Sequence, residues 1–345
     1  MRLVYVSDDE PGLRRQRRRG RFVYFGVRGE VKSPAVLRRI RKLAIPPAYE
    51  DVWICRRDNG HLQATGRDAK GRKQYRYHAD WRKVRDAAKF DRLAAFSQGL
   101  PKLRRRIAAD LLRRGLCRDK VIAAVVLLLQ HSLIRIGNEQ YTRSNGSYGL
   151  TTLRNRHVEI FGTKIEFKFR GKSGRFHTVR LADPRLARIM RRCQELPGQH
   201  LFQYRNDEGG VERIGSGDVN AYLHASLGET FSAKDFRTWA ATVLAARYLA
   251  GHAGAAPADR ARRAGEAVEY VAQRLGNTAA ICRKSYIHPG ILLTYEKGGL
   301  RMPANGRAIG SRSLSASERA VQQLLKRQHA SGGRRRAHPH GKASA

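Results

Sequence analysis

Nine consecutive apolar residues, Val121 to Leu129, place the strongest constraint on how this chain folds. The run is far too short to span a bilayer, which takes about 20 such residues. It has no polar face, so it predicts a helix buried in a globular core. Apolar residues recur at helical spacing from residue 79 to 135, with Pro101 at an expected break. No membrane association is predicted. The chain has 345 residues, enough for two or three domains and a sizeable core.

The texture differs on either side of that helical stretch. From Val23 to Tyr77 the pattern is short strands and turns. Val52-Trp53-Ile54-Cys55 and His61-Leu62-Gln63-Ala64-Thr65 read as strands across Asp58-Asn59-Gly60, whose Asn-Gly pair is a hairpin signal. Residues 157 to 181 return to strand alternation. Ile165, Phe167 and Phe169 face one way, and Glu166, Lys168 and Arg170 the other, before the turn Gly171-Lys172-Ser173-Gly174 and a return strand through Phe176, Thr178 and Val179. Helices dominate again from about 184. Ser232 with Asp235 reads as a capping box opening Phe236 to Leu249, and Glu266 to Leu275 ends at the C-cap Gly276. The fold class expected is α+β, with a small N-terminal sheet-containing domain and a larger, mainly helical domain carrying a β-hairpin. The boundaries fall at 1–21 (a basic arm), 22–88, 89–300 and 301–345. The last is a basic tail, helical in spacing from Glu318 to Gln328 and partly disordered at its end.

Charge decides the class of partner. Lys and Arg number 69 against 29 Asp and Glu, a formal net charge of +40. Such an excess predicts a large polyanion, bound through phosphates with release of their counterions. Cys55, Cys117, Cys193 and Cys282 are scattered without metal-ligand spacing, as expected of reduced thiols in a cytoplasmic protein. Met1-Arg2-Leu3-Val4-Tyr5 runs on into acids and arginines and carries no secretory pattern. Asp8-Asp9-Glu10 is the dense acidic cluster, and no His-x-x-x-His or Asp-x-Asp spacing supports a two-metal nuclease. No metal and no cofactor are expected.

Four basic stretches and one tyrosine are candidates for chemistry. Arg135 ends the apolar helix, where a guanidinium needs a partner. Either Glu139 supplies a salt bridge, or the fork of donors grips two oxygens of one phosphate. Gly171-Lys172-Ser173 lacks the first glycine of a P-loop and sits between strands, which rejects nucleotide binding. Lys172 is either a plain exposed lysine or a general acid for a leaving alkoxide. Arg237 lies near the start of a helix, where an anion is favoured. Asn277 either caps the next helix or donates to an oxyanion. It precedes Tyr286 by nine residues, about 14 Å along a straight helix, so sharing one phosphate requires a bend or a long reach.

These stretches together resemble the type IB DNA topoisomerases of the short bacterial and poxvirus kind. The residues that carry the resemblance are Arg135-Ile136-Gly137-Asn138-Glu139, Tyr148 through Val158, Phe169-Arg170-Gly171-Lys172, Asp235-Phe236-Arg237-Thr238-Trp239 and Cys282 through Pro289. The resemblance implies an active site of Arg135, Lys172, Arg237, Asn277 and Tyr286, with Asn277 standing where many relatives have His. It implies ATP-independent, metal-independent relaxation of supercoils of both signs through a 3′-phosphotyrosyl intermediate. It also implies a tyrosine-recombinase-like catalytic domain, and an N-terminal domain that clamps duplex DNA. Gly66 to His78 looks like the DNA-reading segment, with Arg67, Lys70, Arg72, Lys73, Gln74, Tyr75 and Tyr77 as DNA-binding residues. Tyr141, shortly after Arg135, joins them as a DNA-binding residue. A monomer acting on duplex DNA at the nucleoid is expected.

Two rivals remain. A tyrosine recombinase usually has His-x-x-Arg, whereas Lys234 stands before Arg237 here. A non-catalytic DNA-packaging protein would have no use for Tyr286 as a nucleophile.

Overall fold

The structure, a computed structural model, describes residues 3–81, 89–303 and 313–336. The chain divides into two compact units, 1–89 and 90–345.

The first unit is an antiparallel sheet of β1 (Leu13–Arg18), β2 (Arg21–Gly26), β3 (Gly29–Glu30), β4 (Glu50–Ile54), β5 (Leu62–Arg67) and β6 (Lys73–Tyr77), in the order β3-β2-β1-β4-β5-β6. Helix α1 (Pro34–Lys42) adds Ile40 to a small core of Leu13, Val52, Ile54 and Ala64. The arginine-rich segment expected as a basic arm is instead β1, paired on both sides by β2 and β4. Leu13 is buried, while the long arginine stems find flat partners. The Arg15 guanidinium lies 4.3 Å from the Phe22 ring centre and that of Arg18 lies 4.7 Å from Phe25. Alternation and these aromatic partners thus let four arginines sit on a paired strand.

In the second unit Val121 to Leu129 form the middle of α3 (Arg118–Ser132), each no more than 4% exposed. Around α3 pack α2 (Leu93–Asp110), α5 (Pro184–Gln194), α6 (Ser216–Leu227) and α7 (Ala233–Ala250). A short helix α4 (Glu139–Asn145) follows α3. Pro101, expected at a break, lies inside α2. The helix continues because Phe96, Leu100, Leu103 and Ile107 bury its face on both sides of the one lost hydrogen bond. A three-stranded antiparallel sheet joins β7 (Val158–Phe161), β8 (Lys164–Arg170) and β9 (Phe176–Ala182). Ile165, Phe167 and Phe169 are its buried side. On β9 the inward positions are His177, Val179 and Leu181, while Phe176 is 85% exposed. A small hairpin of β10 (Gln203–Arg205) and β11 (Val211–Arg213) precedes α6. Helices α8 (Arg260–Leu275), α9 (Ala279–Ser285) and α10 (Pro289–Glu296) complete the fold.

The segment read as a basic tail contains a further helix, α11 (Ala316–Arg336), longer than the Glu318–Gln328 spacing predicted. Its first half is part of the core. Val321 and Leu325 are buried, and Glu318 is fully enclosed against Arg104 and Trp239. Residues 337–345 lie outside the described residues. No described helix is long and apolar enough to cross a membrane.

Candidate active site

Helix ends build the site. After α3, Leu133 adopts a left-handed conformation (φ 57°) and turns the chain so that Arg135 leaves the core. The Arg135 carbonyl accepts from the Leu150 N–H at 2.9 Å, and that of Ile136 from Thr151 at 2.7 Å, which pins this strap to the following loop. Glu139 does not pair with Arg135. It lies within 3.6 Å of Arg143 and 3.5 Å of Arg213 instead. Arg135 donates through Nη2 to Asn277 Oδ1 at 2.6 Å, a contact between residues 142 positions apart.

Asn277 is free for that role because it does not cap α9. Gly276 (φ 61°) ends α8, and Thr278 takes the cap of α9 by accepting from the Ile281 N–H. The chain turns at Asn277, between α8 and α9, and α9 then leads to Tyr286. Tyr286 closes α9, and its carbonyl accepts from Thr242 Oγ1 on α7 at 3.3 Å. The same Thr242 oxygen accepts from the His288 N–H at 3.1 Å.

Arg237, in the second turn of α7, is 5% exposed. The Ser232 N–H donates to Asp235 Oδ2 at 2.8 Å, so the capping box opens α7 as its sequence predicts. Arg237 donates to the Leu133 carbonyl and, at 2.8 Å, to that of Leu275. Both acceptors lie at helix C-termini, whose partial negative charge suits a cation. Among the described residues no carboxylate reaches it, and burial together with the Arg135 charge pushes its pKa down to about 10, against the pull of Tyr286. Its guanidinium carbon lies 5.3 Å from the Tyr286 ring centre. Arg237 Nε and Asn277 Nδ2 are buried with no hydrogen-bond partner among the described residues. Two enclosed donors without acceptors, beside two guanidinium groups, form a site for an oxyanion.

Lys172 stands exposed on the turn between β8 and β9 and lines one cleft with Arg135 and Arg237. Sequence reasoning missed three contributors. His177 and Arg274 line the same cleft, and Thr242 anchors Tyr286. The inward alternation of β9 carried a signal for His177; nothing local marked the other two.

In the N-terminal unit Lys73, Tyr75 and Tyr77 share the exposed face of β6, the two tyrosines stacked at 6.1 Å. Gln74 faces the other way and donates to Asp68. Arg72 also pairs with Asp68, Lys73 with Asp8, and Arg67 with Asp51 at 3.4 Å, while Lys70 is exposed. Tyr141 is exposed on α4.

Beside the strap, His157 packs edge-on against Tyr148 at 4.3 Å and accepts from the Arg154 N–H through Nδ1 at 3.0 Å. Burial, with Arg156 and Arg154 nearby, pushes its pKa down to about 4. Between pH 6.5 and 4 the unfolded chain binds a proton that the folded one refuses, so stability falls as pH drops through this window. His157→Asn is expected to remove about 3 kcal/mol of that slope, read from denaturation midpoints across the range. An unchanged pH dependence would disprove the assignment.

Comparison with known proteins agrees across both units. The family described as eukaryotic DNA topoisomerase I, catalytic core, matches residues 78–298, and that of the bacterial DNA topoisomerase IB N-terminal domain matches 21–68. DNA topoisomerase 1B of Acanthamoeba polyphaga mimivirus is 32% identical over 294 residues, 83% of this chain and 88% of that protein. DNA topoisomerase I of monkeypox virus and DNA topoisomerase 1B of vaccinia virus (strain Copenhagen) are each 27% identical over 167 residues, 48% of this chain and 47% of theirs.

Proposed function

The chain belongs to the type IB DNA topoisomerases, DNA-acting isomerases, and we propose that it relaxes supercoiled duplex DNA by transient cleavage of one strand at Tyr286. The observation that carries this reading is the buried Arg237. Among the described residues it has an open Nε and no carboxylate partner, and it lies against the Tyr286 ring in the cleft shared by Arg135 and Lys172.

The Tyr286 oxygen attacks the scissile phosphorus and gives up its proton to solvent water. The bond from phosphorus to the 5′ oxygen breaks as that oxygen takes a proton from the Lys172 ammonium. Arg135 and Arg237 hold the non-bridging oxygens, where their charge is worth most in a water-poor cleft, and Asn277 Nδ2 supports one of them. The phosphodiester energy is kept in the 3′-phosphotyrosyl bond. The cut strand rotates about the intact one, and the 5′ hydroxyl then reverses the reaction without ATP.

Lys73, Tyr75 and Tyr77 on the exposed face of β6, with Arg67, Lys70 and Arg72 around them, are assigned to duplex contact. Tyr141 is assigned to it from the catalytic unit, and the two units to closing on DNA as a clamp. Gln74 is a weaker member, because reading a base edge requires it to leave Asp68.

The test is relaxation of positively and negatively supercoiled plasmid, free of paired recombination sites, in EDTA without ATP. Both substrates are expected to relax, whereas a recombinase or a packaging protein leaves them supercoiled. Failure of folded protein to relax either substrate would sink the reading.

A further inference from the structure

His177 is absent from the chemistry above, yet it occupies the join between two of its parts. Its ring lies between the glycines that precede Lys172 and Asn277. A Cβ on Gly171 would fall 2.6 Å from its Cδ2 and 2.7 Å from its Nε2, and a Cβ on Gly276 would fall 2.5 Å from its Cε1. Contacts that short are not tolerated, so neither position takes a side chain while the ring is there. Phe169 stacks on the imidazole at 5.3 Å and 15°, fixing its plane.

The turn that carries Lys172 needs such an anchor. It is closed internally by Gly171 N–H to the Arg175 carbonyl at 2.7 Å and Gly174 N–H to the Gly171 carbonyl at 3.1 Å. Ser173 (φ 64°) and Gly174 (φ 73°) are both left-handed. Those bonds shape the turn but none of them runs to the Asn277 turn, whereas the imidazole packs against both. Burial and the charges of Arg135, Arg237 and Arg175 push His177 below its usual range, while Lys172 and Arg274 add cations to the same cleft. At neutral pH the ring is therefore an uncharged spacer and a poor proton donor.

We propose that His177 is a positioning residue for proton delivery by Lys172, its ring holding the lysine turn at a fixed distance from Asn277. This rests on the strand-cleavage reading above. A lysine carries a long, flexible stem, and a displacement of about 1 Å at its base is enough to cost on the order of 10²-fold in rate.

The experiment uses the full chain and a duplex containing a cleavage site mapped with the wild-type protein. One version carries the ordinary 5′-bridging oxygen and the other a sulfur there, because a thiolate leaves without needing a proton. Single-turnover formation of the covalent adduct is measured for wild type, Lys172→Ala, His177→Ala and Gly171→Ala. The Gly171 backbone suits alanine (φ −97°, ψ −164°), so its methyl meets the imidazole as its obstacle. His177→Ala and Gly171→Ala are each expected to slow cleavage of the oxygen duplex about 10²-fold, with unchanged DNA affinity. Both should recover the wild-type rate on sulfur, as Lys172→Ala does, and a double variant joining Gly171→Ala to His177→Ala should be no slower than His177→Ala. A His177→Ala defect equal on both substrates, or no defect, overturns the assignment to His177 alone. Absence of any adduct with wild type, or a Lys172→Ala that sulfur does not rescue, overturns the strand-cleavage reading and His177 with it.

Discussion

Replacing Tyr286 with phenylalanine is expected to abolish plasmid relaxation and the covalent adduct, a loss of at least about 10⁴-fold, while leaving DNA affinity intact. The substitution removes one oxygen and keeps the ring. The Arg237 contact with its face survives, although the hydrogen bond between Arg237 and the hydroxyl is lost. Backbone position survives as well, because Thr242 meets the Tyr286 carbonyl and the His288 N–H, and Ile287 between them is fully buried. Affinity comes chiefly from phosphate contacts by the many cations and keeps its salt dependence. Relaxation and nitrocellulose-filter binding, measured side by side over a salt series, separate the two. A phenylalanine variant that still relaxes plasmid would mean that the nucleophile lies elsewhere.

The largest stability effect is expected at Glu318, at the start of α11. Its carboxylate accepts from Arg104 at 2.7 and 3.1 Å, from Trp239 Nε1 at 3.2 Å and from the Ser315 N–H at 2.8 Å. Burial raises its pKa, but Arg104 and the other donors more than offset this and hold it below the usual carboxylate range. Glu318→Ala leaves the Arg104 guanidinium, itself 4% exposed, without a counter-charge. The expected cost is about 3–5 kcal/mol, which lowers the melting temperature by on the order of 10 °C. Replacing both partners with apolar residues, Arg104→Met with Glu318→Leu, is expected to recover most of the loss, since it is the orphaned charge that destabilises. A single variant within about 0.5 kcal/mol of wild type would show that α11 does not hold the core as described.

Much of the fold could be read locally. The uninterrupted apolar run of Val121–Leu129, the alternation of Ile165, Phe167 and Phe169, and the cap residues Ser232 and Gly276 each act on their own helix or strand. Each is found where its period or cap chemistry predicts. The family could be read because five short stretches keep their order. The arginine-rich β1 misled because strong charge resembles a solvated arm, whereas aromatic faces and alternation let a strand carry it. Pro101 was misjudged, and the place of α11 in the core was not foreseen, because burial against distant elements outweighs local propensity.

By itself, the sequence determined the periodicities, the caps and a charge balance that calls for a polyanion. These depend on residues close together in the chain or on totals. Only the tertiary structure decided which groups meet. Arg135 found Asn277 instead of the nearby Glu139, Arg237 found two helix-end carbonyls, Glu318 found Arg104, and His177 came to rest between Gly171 and Gly276. Hydrogen bonds and close packing are settled within about 3 Å in space, and residues 142 or 214 positions apart reach that distance through the packing of whole helices.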